Sequence, residues 1–195
     1  MRLADILEIS GLAARAPFFL VDCSSGYQPA CCAFVARRDI ADNVQAEFCA
    51  FAKEQAGIYL PDVYASDFYW LEQQHNYIST LAYMRMINDL VAMDIEHYEL
   101  LFASFVVLHE YGHWLHFRRY RGGSLAYIKW LNRQFGPVER QAEILAQIPA
   151  AEPIKEDLTA QHIDAYNAMP QEFSANKYAL KHLPAFYQKI IKAAK

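Results

Sequence analysis

The sequence predicts an α+β fold, with short strands in its first half and a mostly helical second half. Three observations carry that reading. Apolar runs of strand length, bounded by turn-forming residues, lie before residue 84, and apolar residues at helical spacing follow it. Gly and Pro punctuate the helical part at short intervals. Hydrophobic residues make up 54% of the 195 and charged residues 21%, enough for one well-filled core, so residues 1–195 read as a single domain.

Taken in order, residues 3–15 predict a short helix that stops near Gly11 or before Pro17. Phe18–Val21 and residues 30–37 read as strands, with the turn-rich residues 24–29 between them. Residues 39–55 have helical spacing: Ile40, Val44, Phe48 and Phe51 share one side, and Gly57 follows as a stop. Residues 58–64 and 77–83 read as further strands, although the second could instead open the next helix. One long helix covers residues 97–119 and closes at Gly122 and Gly123. Helices follow over 125–135 and 138–147, parted by Gly136 and Pro137. A loop at 149–153 leads to helices over 157–167 and 171–183, and Pro184 marks a break.

Composition excludes several classes of function. A net charge of −4 and a pI near 6.0 argue against a nucleic-acid partner. The one basic run, Arg118, Arg119 and Arg121, reads most simply as cations favouring a helix C-terminus. Cys23, Cys31, Cys32 and Cys49 form no C-x-x-C pair, and adjacent Cys31 and Cys32 are poorly placed for a disulfide. The N-terminal residues interleave acids with apolar side chains, unlike a secretory signal. Residues 100–108, the longest apolar stretch, are too few to span a bilayer. The expectation is a cytoplasmic protein with reduced thiols and no membrane partner. The 13 Tyr and 12 Phe predict a densely packed aromatic core.

The chemistry resides in His109-Glu110-Tyr111-Gly112-His113, an H-E-x-x-H pattern inside the long helix. Positions four apart lie about 40° apart around a helix and about 6 Å along it, so both imidazoles can converge on one tetrahedral ion. Glu110 is turned about 100° from His109, beside a metal-activated water from which it can take a proton. Chance would produce the pattern in roughly 1.5% of shuffled chains of this composition. Gly112 costs about 1 kcal/mol of helix propensity relative to Ala, so it wants a packing reason, such as close approach of the element carrying the remaining ligand.

That ligand must come from elsewhere in the chain. A metzincin would continue with Gly and His where His116 and Arg119 stand, so that pattern is absent. Residues 169–179 offer E-x-x-A-N-x-x-A, with Glu172 and Asn176 four apart on one helical face. Glu172 could bind the metal while Asn176 orients a ligand histidine by hydrogen bonding. Ala175 and Ala179 are small enough to bring this helix against the His helix. Glu139 and Glu143 are rivals within a second E-x-x-A segment, and His162 would make a three-His site. His116 lies near 10 Å along the helix from His109, at the edge of any site. Two imidazoles and a carboxylate favour zinc. Tyr166, His162 and Tyr178 are candidates to stabilise an oxyanion, and residues 77–83, as an edge strand, could pair with an extended substrate.

The H-E-x-x-H helix followed by a Glu helix reading E-x-x-A-N resembles the gluzincin-type zinc metallopeptidases, including the compact ImmA/IrrE-like group. The resemblance rests on two segments of about a dozen residues each. It implies a zincin-like fold: a short twisted N-terminal sheet, an active-site helix and a second helix delivering the Glu. It also implies Zn²⁺ held by His109, His113 and Glu172, general base Glu110, and intracellular cleavage of a protein or peptide substrate such as a regulator. The alternative function is a non-catalytic zinc-binding regulatory or interaction module on the same fold. The third reading is a structural helical protein with an accidental motif.

Overall fold

A computed structural model describes residues 1–40, 51–90, 97–149 and 152–194. The fold is α+β, mostly helical, with a small mixed sheet near the N-terminus. Helix α1 (Leu3–Ser10) starts where the Asp5 carboxylate accepts the Arg2 backbone N–H at 2.8 Å. It stops at Gly11, which takes the left-handed φ of 74° and donates its N–H to the carbonyls of Leu7 and Glu8. Strands β1 (Phe18–Val21), β2 (Cys31–Ala33) and β5 (Gly57–Pro61) form a three-stranded sheet in the order β1-β5-β2. β5 pairs parallel with β1 (Phe18 opposite Ile58) and antiparallel with β2 (Cys31 opposite Tyr59). Flanked on both sides, β5 buries Ile58 and Leu60 completely. β3 (Val35–Ala36) and β4 (Ala52–Lys53) form a separate parallel pair.

The early segments depart from expectation for local reasons. Residues 30–37 do not make one strand. The run breaks at Phe34, whose N–H donates to the Phe51 carbonyl, so its two halves join different sheets. Of the helix expected over 39–55, residues 41–50 lie outside the described residues, and Ala52–Lys53 is strand. Helix α2 (Ala65–His75) has no counterpart in the sequence reading; its buried Ala65, Phe68, Tyr69 and Glu72 follow the i, i+3, i+4, i+7 spacing. Residues 77–83 are helical and open α3 (Tyr77–Leu90), where Thr80, Tyr83 and Ile87 share a buried face. They are therefore not the substrate-pairing edge strand.

Helix α4 (Tyr98–Arg119) is the axis of the molecule, with every residue from Leu101 to Trp114 buried. A helix buried all round needs partners on every side. They are α2, α3, the sheet and, most extensively, α7 (Pro170–Ala194). Helices α5 (Gly123–Gln147) and α6 (Ile154–Ala168) pack on each other and complete the domain. Both α5 and α7 run through the prolines expected to break them. Pro137 and Pro184 are exposed, so each removes one backbone donor on a side where water can satisfy the carbonyl one turn back. One core cluster extends from Leu3 through the sheet and α4 to Ile190. Its aromatic part centres on fully buried Tyr127, edge-on to Phe34 and stacked on Trp130. Among the described residues, no helix is long and apolar enough to cross a membrane.

Candidate metal centre

Helix α4 supplies His109 and His113, which are 0% and 8% exposed. Their spacing places both rings on one side of the helix, with the Nε2 atoms 2.9 Å apart. Glu172, 2% exposed, enters from the first turn of α7. Its Oε2 lies 3.4 Å from Nε2 of His109, and its Oε1 lies 3.4 Å from Nε2 of His113. The positive end of the α7 dipole favours an ionised carboxylate at that position. The three ligand atoms all lie within 4.8 Å of one another.

The helices meet this closely because neither has bulk at the crossing. A Cβ on Gly112 would stand 2.8 Å from Cα and 3.0 Å from the carbonyl oxygen of Ala175. Ala175 and Ala179 are fully buried. The glycine in the motif thus has the packing reason its propensity cost demands.

The donor set fits a divalent cation. Two atoms bound to one tetrahedral ion at 2.0–2.2 Å stand roughly 3.3–3.6 Å apart, which matches both Glu–His distances and exceeds the His–His distance by roughly 0.4 Å. Ring nitrogens and a carboxylate converge there from opposite helices, an arrangement that electron-pair donors adopt around a positive charge. Burial opposes charge on His113, yet Glu172 holds its pKa above the usual value. Burial likewise opposes ionisation of Glu172, but His113 and His109 outweigh it and hold the carboxyl well below the carboxylate range. Ionised Glu172 is the form that could hold a cation.

Glu110 is 6% exposed and stands outside the ligand set, lining the same cavity. Burial pushes its pKa up; His113 and His109 pull it back, and Glu172 adds to the rise. The cavity measures about 160 Å³. Tyr83 reaches in from α3 with its hydroxyl 3.1 Å from His109 Nε2. Tyr166, from α6, lines the cavity beside Glu172. Burial first, then Tyr166 and Glu172 for Tyr83, and Glu172 and Glu110 for Tyr166, raises both phenols well above their usual pKa. Cys31 and Cys32 of β2 form a further wall. Burial raises the Cys31 thiol to about 11, with Glu110 adding to the rise. Cys23, Cys31 and Cys32 are unpaired, and Cys49 lies outside the described residues.

The other candidates fall as follows. Asn176 is buried, and its Nδ2 donates to Asn167 Oδ1 at 3.2 Å. Among the described residues, its Oδ1 has no hydrogen-bond partner, and neither has Nδ1 of His109. The hydrogen bond expected from Asn176 to a ligand histidine is not formed among the described residues. Glu139 and Glu143 are exposed on α5, away from the cavity. His116 pairs its Nδ1 with the Tyr127 hydroxyl at 2.8 Å. His162 is buried rather than solvent-facing, but it neither joins the ligand group nor lines the cavity. Tyr178 packs on Tyr111 and His182, outside the cavity. Tyr83 was not among the candidates, its segment reading as a strand or as the opening of the next helix. A helical reading of 77–90 would have put Tyr83 on the face of Thr80 and Ile87. Gln171, whose Oε1 lacks a partner, also lines the cavity and carried no signal beyond its place beside Glu172. Comparison of the chain with family models, curated proteins and solved structures finds no match in any of the three.

Proposed function

We propose that this protein is a zinc-dependent endopeptidase with a zincin-like fold of the gluzincin kind, acting in the cytoplasm on a protein or peptide substrate. One observation carries the reading: a buried His-His-Glu group shares a cavity with a buried carboxylate that is not part of it. A structural metal site needs no such carboxylate; hydrolysis does. His109, His113 and Glu172 hold the ion, and an N₂O donor set with room for a further ligand favours zinc. When bound, the ion supplies Lewis-acid polarisation.

The remaining work falls to the chain. Glu110 takes the proton of the attacking water and passes it to the departing amine, and its raised pKa brings it nearer to neutral working pH. The Tyr83 and Tyr166 side chains line the cavity beside His109 and Glu172, and their protonated hydroxyls are candidate donors for charge developing on the carbonyl oxygen. β2 is an edge of its sheet, and Ala30, Cys31 and Cys32 line the cavity, so an extended substrate can add there as a further strand. This gives β2 the role first read into residues 77–83. The resemblance to the ImmA/IrrE-like group makes a regulator a suitable substrate.

The test is Glu110→Gln in zinc-loaded protein against an unstructured protein substrate. Fold and zinc are retained, and turnover falls at least about 100-fold. Cleavage at the wild-type rate by the variant refutes the role of Glu110. Zinc binding with no turnover by wild type across a substrate panel would favour the non-catalytic module instead.

A further inference from the structure

A second concavity, of about 460 Å³, lies on the outer surface between the C-terminal half of α4 and α7. Arg119, Lys177 and Lys181 line it together with Tyr178 and Phe173, and no acidic residue does. On α7, Lys177 and Lys181 lie about 140° and 180° around the axis from Glu172, so the groove opens on the side away from the metal ligands. All three cations are exposed, and none has an ion-pair partner among the described residues. Phe173 is 59% exposed at the rim.

This is an unusual surface for a chain of net charge −4. An ordinary solvated helix face mixes both signs. Glu172 is the one acid of α7, and it is buried in the metal group, while Lys177, Lys181, Lys189 and Lys192 share the rest of the helix. Lys177 and Lys181 are four apart, a spacing at which like charges repel. Arg119 continues the positive charge onto the α4 side of the groove. Helix-dipole complementarity accounts for the arginines at the end of α4, but not for lysines in the middle of α7.

We propose that this groove docks an acidic segment of a partner protein, with carboxylates on Arg119, Lys177 and Lys181 and an apolar side chain against Phe173 and Leu115. Charge complementarity selects the acid, and the exposed aromatic rim selects a segment that also carries an apolar anchor. A nucleic acid fits less well, because the positive strip is short and the remainder of the molecule is acidic.

The test is fluorescence anisotropy of a labelled peptide of alternating Glu-Glu-Leu units with the full-length protein at low salt. The wild type binds, and affinity falls as salt is raised. Lys177→Glu/Lys181→Glu weakens binding at least about tenfold, and Lys177→Arg/Lys181→Arg preserves it. Lys192→Glu, about 16 Å further along the helix from Lys181, changes affinity less than about twofold. Circular dichroism confirms that each variant is folded. Absence of binding by the wild type overturns the proposal, as does an equal loss in Lys192→Glu. Tighter, equally sensitive binding of oligothymidylate would place a nucleic acid in the groove instead. Self-association abolished by the same substitutions would place a second copy there.

Discussion

Replacing Gly112 with Ala tests how the metal group is built. The new Cβ would stand 2.8 Å from Cα of Ala175, about 0.6 Å inside ordinary van der Waals contact, and the obstacle is backbone. No rotamer relieves such a clash, so α4 and α7 must part. Ala gains about 1 kcal/mol of helix propensity over Gly. Overpacking a tight core costs about 1–3 kcal/mol. The net expectation is a loss of about 0–2 kcal/mol, up to roughly 8 °C in Tm for a domain of this size. The effect on metal should be larger. Glu172 precedes Ala175 by less than one turn, so a shift of several tenths of an ångström moves its carboxylate beyond the ~0.2 Å that ligand distances tolerate. Zinc affinity, read by chelator competition, should therefore fall at least about tenfold while circular dichroism stays native. A variant that is more stable than wild type and binds zinc equally well would show that this contact does not set the ligand geometry.

The other tests concern single side chains. Glu172→Ala should weaken zinc binding at least about 100-fold, whereas Glu139→Ala and Glu143→Ala, on exposed positions of α5, should leave it within about twofold, all by chelator competition. Asn176→Ala should cost about 10- to 100-fold in zinc affinity if its free Oδ1 takes the His109 Nδ1–H in the loaded site, and no change would remove Asn176 from any supporting role. Glu72 is buried under hydrogen bonds from the Tyr27 hydroxyl, the Asn76 amide at 3.1 Å and the Ala30 N–H at 3.3 Å, yet burial dominates and raises its pKa. A raised folded pKa means its contribution is complete below the unfolded value near 4.3 and is lost as pH rises through the folded one. Urea unfolding of metal-free protein should then show Glu72→Gln gaining on wild type as pH rises from 4 to 8, and a pH-independent difference would contradict the raised pKa.

What the sequence made legible follows the range of the forces involved. The His109, Glu110 and His113 cluster could be read directly because i, i+4 geometry is local to one helix. Gly11 and β1 were equally local: a turn residue and an apolar run. The failures are cases of tertiary override. Residues 77–83 are aromatic and β-branched enough to suit a strand, but burying Thr80, Tyr83 and Ile87 against α4 rewards a helix. In Ala65–His75 the buried row of Ala65, Phe68 and Tyr69 ends on an acid, Glu72, which is buried under hydrogen bonds from Tyr27 and Asn76. So short a row, closing on an acid, gives little helical signal in the sequence. Pro137 and Pro184 are local helix breakers whose cost the packing of long α5 and α7 outweighs.

The ligand from α7 lies between these extremes, and the reason bears on the Gly112 test. Glu172, Ala175, Asn176, Ala179 and Leu183 are all buried and fall on one stripe at helical spacing. The carboxylate of the group that could hold a metal is thus the N-terminal member of the same row that packs α7 onto α4. A stripe of small residues ending in an acid can be read from sequence; its partner cannot, because α4 is buried all round and its periodicity selects no face. Only Gly112, without a side chain on a helix that would gain from one, marks where the row must land. Packing and ligation are consequently one constraint: at this crossing the distance between helix backbones also sets the distance between Glu172 and the two imidazoles. A substitution that widens the crossing without touching a ligand should therefore lower metal affinity before it unfolds the protein.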